Sequence, residues 1–166
     1  MLPTGINEPV LKEKQVIGAG IRKATCPVCH STDRDRLLLV YLMEHTDLLS
    51  SEGMRKRVLH VAPEPNLSQL LLKNERLEYV CGDRYEKGYG YPFYTNIDIV
   101  SLPFSDNEFD FILCNHVLEH VANDGEAISE LYRVLKKGGK AILQVPVSAN
   151  SETTFEDWSQ RLVSSV

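Results

Sequence analysis

The stretch LPFSDNEFDFILCNHVLEHV (residues 102–121), followed by ELYRVLKKGGKAILQVP (residues 130–146), decides the fold. The run 109–114 is apolar, short and flanked by polar residues, which suits a buried strand. Next, Ala127, Ile128, Leu131, Val134 and Leu135 recur at helical spacing, predicting an amphipathic helix over 123–137 that Gly138-Gly139 would end. The run 140–145 then predicts a second strand. A strand, a crossover helix and a strand form the unit of a parallel sheet covered by helices.

Working outward, the same alternation extends upstream. Apolar runs at 57–62 and 78–82 predict two more strands, and Leu67, Leu70 and Leu71 put one apolar face on a helix over 66–73. Residues 96–99 could add a short strand before the Leu102-Pro103 break. Further upstream, residues 36–43 predict a helix that Thr32 or Asp33 would cap. The expected organisation is an appendage over 1–50, a core over 51–147 and a tail over 148–166. The expected fold class is α/β, a Rossmann-like, mostly parallel sheet flanked by helices.

Composition narrows the function. The chain has 166 residues, a 43% apolar fraction and a 25% charged fraction, values of an ordinary globular domain. No apolar run approaches the ~20 residues that span a bilayer, which argues against a membrane partner. The net charge is −5 and the basic residues lie in small scattered groups, which argues against nucleic acid as a general partner. The N-terminus has no basic start or apolar stretch of a secretory signal, so the expected location is cytoplasmic and the four cysteines are expected as thiols or ligands.

Ligands of an open parallel sheet bind beyond the carboxyl ends of its strands. The residues there are Ala62-Pro63-Glu64, Asp83, Asp98 and Asn115-His116. Asp83 follows Ala62 by 21 residues, near the ~20 at which an acid ending the second strand accepts hydrogen bonds from ribose hydroxyls. An acid that merely solvates a strand end is the alternative. The first turn, Val61-Ala-Pro-Glu-Pro-Asn66, has no Gly-x-Gly-x-x-Gly pattern. Two prolines and a carboxylate oppose a pyrophosphate, which disfavours NAD and FAD.

On the motifs HVAPE (residues 60–64) and LPFSDNEFDFILCNHVLEHV with ELYRVLKKGGKAILQVP, the segment 58–147 resembles the class I methyltransferases of the type 11 group. The resemblance implies S-adenosylmethionine as cofactor and methyl transfer to an unidentified acceptor. It further implies that His60, Ala62 and Glu64 belong to the turn beneath the methionine part, and that Asp83 holds the ribose. Asp98 and the Ile99 backbone would meet the adenine edge, while Asn115 and His116 would line the cofactor. Asp98 as a turn cap is the structural alternative. His60 and Ala62 stand where the family carries an acid and its first glycine. The family's sheet ends in two further strands that residues 146–166 cannot supply, so 141–145 is expected as an open edge suited to self-association. That edge motivates a rival reading, a non-catalytic interaction module.

Two more motifs compete. His116-Val-Leu-Glu-His120 matches the His-x-x-Glu-His signature of zinc hydrolases, which belongs inside a helix, and this makes a hydrolase the third reading. His120 or Glu119 could instead serve as a general base, and a histidine simply paired at a helix start is the structural alternative. Cys26-Pro-Val-Cys29 has the spacing of a zinc knuckle, yet it offers two ligands of four, so no metal is expected in one chain and sharing between two chains stays open. Cys81 and Cys114 read as core residues. Arg34 and Arg36 could guide an anion, close the knuckle or simply solvate a helix start, and Tyr85, Tyr89, Tyr91, Phe93 and Tyr94 could form an acceptor-binding lid or a packed loop.

Overall fold

The computed structural model describes residues 1–4, 9–18, 20–50, 52–84 and 94–153. In chain order the elements are β1 (Leu2–Thr4), α1 (Pro9–Glu13), β2 (Arg22–Thr25), α2 (Asp33–His45), β3 (Lys56–Val61), α3 (Pro65–Leu72), β4 (Leu77–Asp83), β5 (Tyr94–Asn96), β6 (Phe109–Asn115), a 3-10 turn (Leu118–His120), α4 (Asp124–Val134) and β7 (Leu135–Gln144). The antiparallel β1 and β2 make a small separate sheet. The other five strands form one sheet in the order β5-β4-β3-β6-β7, every pair parallel. This is the Rossmann-like α/β architecture expected from the strand and helix periods.

Neighbouring residues of β6 face opposite sides of the sheet, so each side carries its own core. Ile112 and Cys114 join Leu59, Val61, Ile97, Ala127, Leu131 and Val134 beneath α4. Phe111 and Leu113 join Leu38, Leu42, Val58, Leu67 and Leu71 beneath α2 and α3. Leu59, Ile112 and Leu113 are completely buried, each contributing about 1.5–3 kcal/mol of transfer free energy. At the start of α2, Thr32 accepts from the Asp35 amide and Asp35 accepts from the Thr32 amide, a reciprocal capping box.

Several sequence boundaries move. The helix expected over 123–137 ends at Val134, and Leu135 already pairs with Phe109 in the β6–β7 ladder. The Gly138-Gly139 pair therefore lies inside β7 rather than at a helix end. It sits where the register jumps, Phe109 facing Leu135 and Phe111 facing Lys140, with Gly138 at φ +80°. Such a bulge needs the left-handed backbone that glycine adopts freely. Ile128, expected on the buried face, is exposed. The short strand expected at 96–99 occupies Tyr94–Asn96, and the chain then turns through an Asp98–Ser101 bridge.

Gly82 has a role its sequence context did not announce. A Cβ there would lie 2.1 Å from the Thr95 carbonyl oxygen, so the close approach of β5 to β4 depends on glycine. Arg133 fastens the next segment: its guanidinium donates to the carbonyls of Leu102 and Phe104, while Glu130 accepts from the Leu102 amide. Thus the loop from Asp98 to Phe104 is tied to α4. Among the described residues no helix is long and apolar enough to cross a membrane.

Candidate functional site

The sheet order reverses between β3 and β6, because β3 leads next to β4 on one side and β6 leads to β7 on the other. A crevice opens at the carboxyl ends of such a pair. The first residue after each strand is non-glycine in the left-handed region, Ala62 at φ +49° and His116 at φ +55°. That conformation costs about 1–2 kcal/mol for an L residue, and strain of this kind gathers at functional sites. Each is held by a backbone bond, the Ala62 amide to the Gly82 carbonyl at 2.8 Å and the His116 amide to the Gln144 carbonyl at 2.7 Å.

Between these two turns lies a buried polar chain. His60 is completely buried in β3, with Nδ1 2.8 Å from the Tyr79 hydroxyl and Nε2 2.7 Å from Glu64 Oε2. The other Glu64 oxygen accepts from Asn115 Nδ2 at 3.0 Å. Burial on its own would raise the Glu64 carboxyl, but the His60 hydrogen bond and charge, a backbone amide and Asn115 together hold it below the usual carboxylate value. Burial pushes the Tyr79 hydroxyl and the Cys81 thiol upward, and takes Cys114 to about 12. These two cysteines are buried, as their strand positions implied.

Two polar atoms in this crevice are shielded and have no hydrogen-bond partner among the described residues: Asn115 Oδ1 and His116 Nε2. A buried acceptor left unmade costs about 1–3 kcal/mol, so an unpaired one beside a carboxylate suits a bound donor. The turn itself, Pro63-Glu64-Pro65, starts α3 with a proline at its first position and no side-chain cap. This set of acceptors fits a ligand with an amine and a positive charge and opposes a pyrophosphate.

The acids lie along the same edge of the sheet. Asp83 ends β4 and accepts from the Arg84 amide at 2.6 Å. Asp98 caps its own turn, Oδ1 accepting from the Val100 amide at 3.2 Å, while Oδ2 lies 4.0 Å from Arg84 Nε. The turn-cap alternative for Asp98 is therefore realised with one oxygen. Ile99 buries its side chain in the core beneath α4. The structure thus brings His60, Glu64 and Asn115 into direct contact and puts Ala62 and His116 beside them, with Asp83 and Asp98 joined through Arg84.

The His116-x-x-Glu-His120 motif does not form the helix that the zinc signature requires. His116 follows the strand, and Leu118–His120 is a single 3-10 turn. His116 Nδ1 lies 3.2 Å from Glu119 Oε1, and His120 is exposed. Among the described residues no three His, Cys, Asp or Glu side chains are grouped to hold a metal ion. At the knuckle, the Cys26 amide bonds the Ser31 carbonyl and the His30 amide bonds the Cys26 carbonyl. Arg36 closes it by donating to the carbonyls of Ser31 and Ala24. Hydrogen bonds from Ser31 and Cys26 hold the Cys29 thiol below its usual value. Tyr85, Tyr89, Tyr91 and Phe93 lie outside the described residues, as does the Tyr94 side chain.

Sequence reasoning missed Tyr79 as the partner of His60 and the left-handed backbone of His116. An alternating strand pattern marks Tyr79 as inward or outward but does not name what it touches. Nothing local foretells a positive φ at a histidine.

Comparison with known proteins agrees with this fold. Residues 43–143 match the family model described as a methyltransferase domain. The chain is 44% identical over 63 residues to the 2-phytyl-1,4-naphtoquinone methyltransferase of Synechocystis sp., covering 37% of this chain and 26% of that protein. It is 30% identical over 131 residues to the ubiquinone/menaquinone biosynthesis C-methyltransferase UbiE of Legionella pneumophila, covering 77% and 45% respectively. The chain spans less than half the length of either relative. Its fold matches the crystal structure of a putative sarcosine dimethylglycine methyltransferase from Galdieria sulphuraria with a TM-score of 0.52 at 17% identity, over 66% of this chain and 45% of that one. With the matched segment taking in both central strands, the crevice between them and the helices on either face, the chain belongs to the methyltransferase domain family.

Proposed function

We propose that this chain binds S-adenosylmethionine along the carboxyl edge of β3, β4, β5 and β6 and transfers its methyl group to a nucleophilic acceptor. The observation that carries the reading is the Glu64 carboxylate, set by His60 and Asn115 in the switch-point crevice, with the unpaired Asn115 Oδ1 beside it. A carboxylate has about four acceptor positions, so Glu64 can meet an α-amine in addition to its two present partners. Asp83 would accept from the ribose hydroxyls. The second oxygen of Asp98 would accept from the adenine amine, with the Ile99 amide as the neighbouring donor, and Ala62 and His116 would line the methionine part. The bound sulfonium supplies an electrophilic methyl. This chain's own part is to hold the acceptor in line with it, since transfer of this kind draws most of its acceleration from positioning.

Residues 51–147 would form the catalytic core, with 1–50 as an appendage that shapes the acceptor side and 148–166 as a tail. A cytoplasmic location suits four cysteines that are all free thiols. The quinone methyltransferases named above make reduced quinones the first acceptors to try, beside phenols, thiols and amines. Titration calorimetry with S-adenosylhomocysteine tests the cofactor. Saturable one-to-one binding is expected, and a folded chain that binds none refutes it.

A second reading rests on β7, which among the described strands pairs with β6 alone, with Leu143 on it and Val145 and Val147 just beyond it exposed. An edge of this kind recruits further strands, so the chain would act as an interaction module and self-associate. Light scattering that gives a dimer mass, with cofactor binding but no turnover on any acceptor, would favour it.

A further inference from the structure

We propose that His116 and Glu119 form a proton-accepting pair at the crevice, in which Glu119 orients the ring and His116 Nε2 takes the proton that the methyl acceptor gives up. This rests on the methyltransferase reading above. His116 follows Asn115 at the end of β6, so it stands at the switch point, next to the carboxylate network. Its backbone is strained at φ +55° and pinned by the 2.7 Å bond to the Gln144 carbonyl, which fixes where the ring departs from the chain.

The ring nitrogens are then distinguished by their surroundings. Nδ1 lies 3.2 Å from Glu119 Oε1, and a carboxylate can only accept, so the proton between them belongs to Nδ1. That leaves Nε2 with its lone pair. The atom is shielded and without a hydrogen-bond partner among the described residues, although the side chain as a whole remains 25% exposed. An oriented imidazole whose far nitrogen is bare has the arrangement of a general base with its orienting acid. Nothing else in the described crevice offers this. His60 spends both nitrogens on Tyr79 and Glu64, and His120 is exposed on the 3-10 turn.

The step balances without another reagent. A new bond forms between the acceptor atom and the methyl carbon, and the carbon–sulfur electron pair stays on sulfur. The acceptor's proton passes to Nε2, leaving an imidazolium beside the Glu119 carboxylate. Glu119 is a positioning residue, acting through the ring.

The pair can be tested without an acceptor. The chain has five histidines, so long-range proton–nitrogen correlation spectra of ¹⁵N-histidine-labelled protein resolve each ring, with His116→Asn identifying the signal. The expected result is the Nδ1–H tautomer with a bare Nε2, both free and saturated with S-adenosylhomocysteine. An Nε2–H tautomer, or an Nε2 engaged by the bound product, overturns the proposal. Glu119→Gln should move the tautomer ratio by about tenfold or more while product affinity stays within about twofold, because a charge-assisted bond is replaced by an amide that can accept or donate. A wild-type tautomer in that variant refutes the role of Glu119. A chain with the expected tautomer that binds no S-adenosylhomocysteine overturns the methyltransferase reading, whereas binding with the wrong tautomer overturns the pair alone. In transfer to the acceptor panel, His116→Asn should lower turnover by roughly 10²- to 10⁴-fold, and unchanged turnover refutes it.

Discussion

Replacing Gly82 by alanine tests how the sheet positions its acids. The added Cβ would lie 2.1 Å from the Thr95 carbonyl oxygen and 3.1 Å from Ile97 Cγ1, and the first contact is with backbone, which cannot rotate away. Contacts under 3.0 Å essentially never occur, so β5 must retreat from β4 by about 0.9 Å at this point. The β4–β5 ladder is short, with Cys81, Gly82 and Asp83 facing Tyr94, Thr95 and Asn96. A retreat of that size stretches its hydrogen bonds beyond useful length, and losing two or three of them at about 0.5–1.5 kcal/mol each gives a loss of about 1–4.5 kcal/mol. For a chain of this size, at ~2–4 °C per kcal/mol, that is a fall in Tm of roughly 2–18 °C. S-adenosylhomocysteine affinity should fall in parallel, because Asp83 ends β4 and Asp98 follows β5. Gly125→Ala is the control: its nearest neighbour would be Asn123 Oδ1 at 3.5 Å, and it lies in the first turn of α4, so stability should hold or rise slightly. Calorimetric unfolding and product titration read both variants. A Gly82→Ala chain within about 0.5 kcal/mol of wild type would refute the close-approach reasoning.

Other outcomes follow from single residues. Asp83→Ala should weaken S-adenosylhomocysteine binding by about 1–3 kcal/mol if its ribose hydrogen bonds are lost, and an unchanged affinity removes Asp83 from the site. Ala62→Gly relieves the left-handed strain at φ +49° against the greater chain entropy of glycine, so urea unfolding should show a gain of up to about 1 kcal/mol; a loss would mean that Ala62 is not strained. Because Glu64 is held below its usual value in the fold, it adds stability above its unfolded carboxyl pKa, and that contribution disappears as pH falls through the folded value. Asp110, which also titrates low despite burial because the Arg57 amide and Lys136 stabilise its charge, acts in the same direction. Stability should therefore drop on acidification below the carboxylate range. Glu64→Gln should flatten part of that drop in a pH series of urea titrations, and an identical acid profile would contradict the assignment.

How much of this was legible beforehand differs by element. The strands β3, β4 and β6 were read to within one residue at each end, since each is a continuous apolar run that a two-sided core requires. The start of α2 was equally readable, because its cap is made by neighbours in sequence. The end of α4 was not. Gly138-Gly139 has the appearance of a helix stop, but the ladder to Phe109 claims Leu135 first and puts the glycines to use in a bulge. The acids at the strand ends could be selected from position alone, whereas Arg84 as the link between Asp83 and Asp98 could not.

The sequence by itself determined the parallel α/β sheet and which residues stand at the carboxyl ends of its strands. Those follow from periodicity and strand order, which are local patterns plus one topological rule. Only the tertiary structure decided that His60 would be satisfied by Tyr79 and Glu64, that Asn115 and His116 would each keep an unpaired polar atom, and that two non-glycine residues would take left-handed backbone side by side. Those outcomes depend on which side chains meet across strands far apart in the chain, and a hydrogen bond spanning the 51 residues from Glu64 to Asn115 exists only once the sheet has brought β3 against β6.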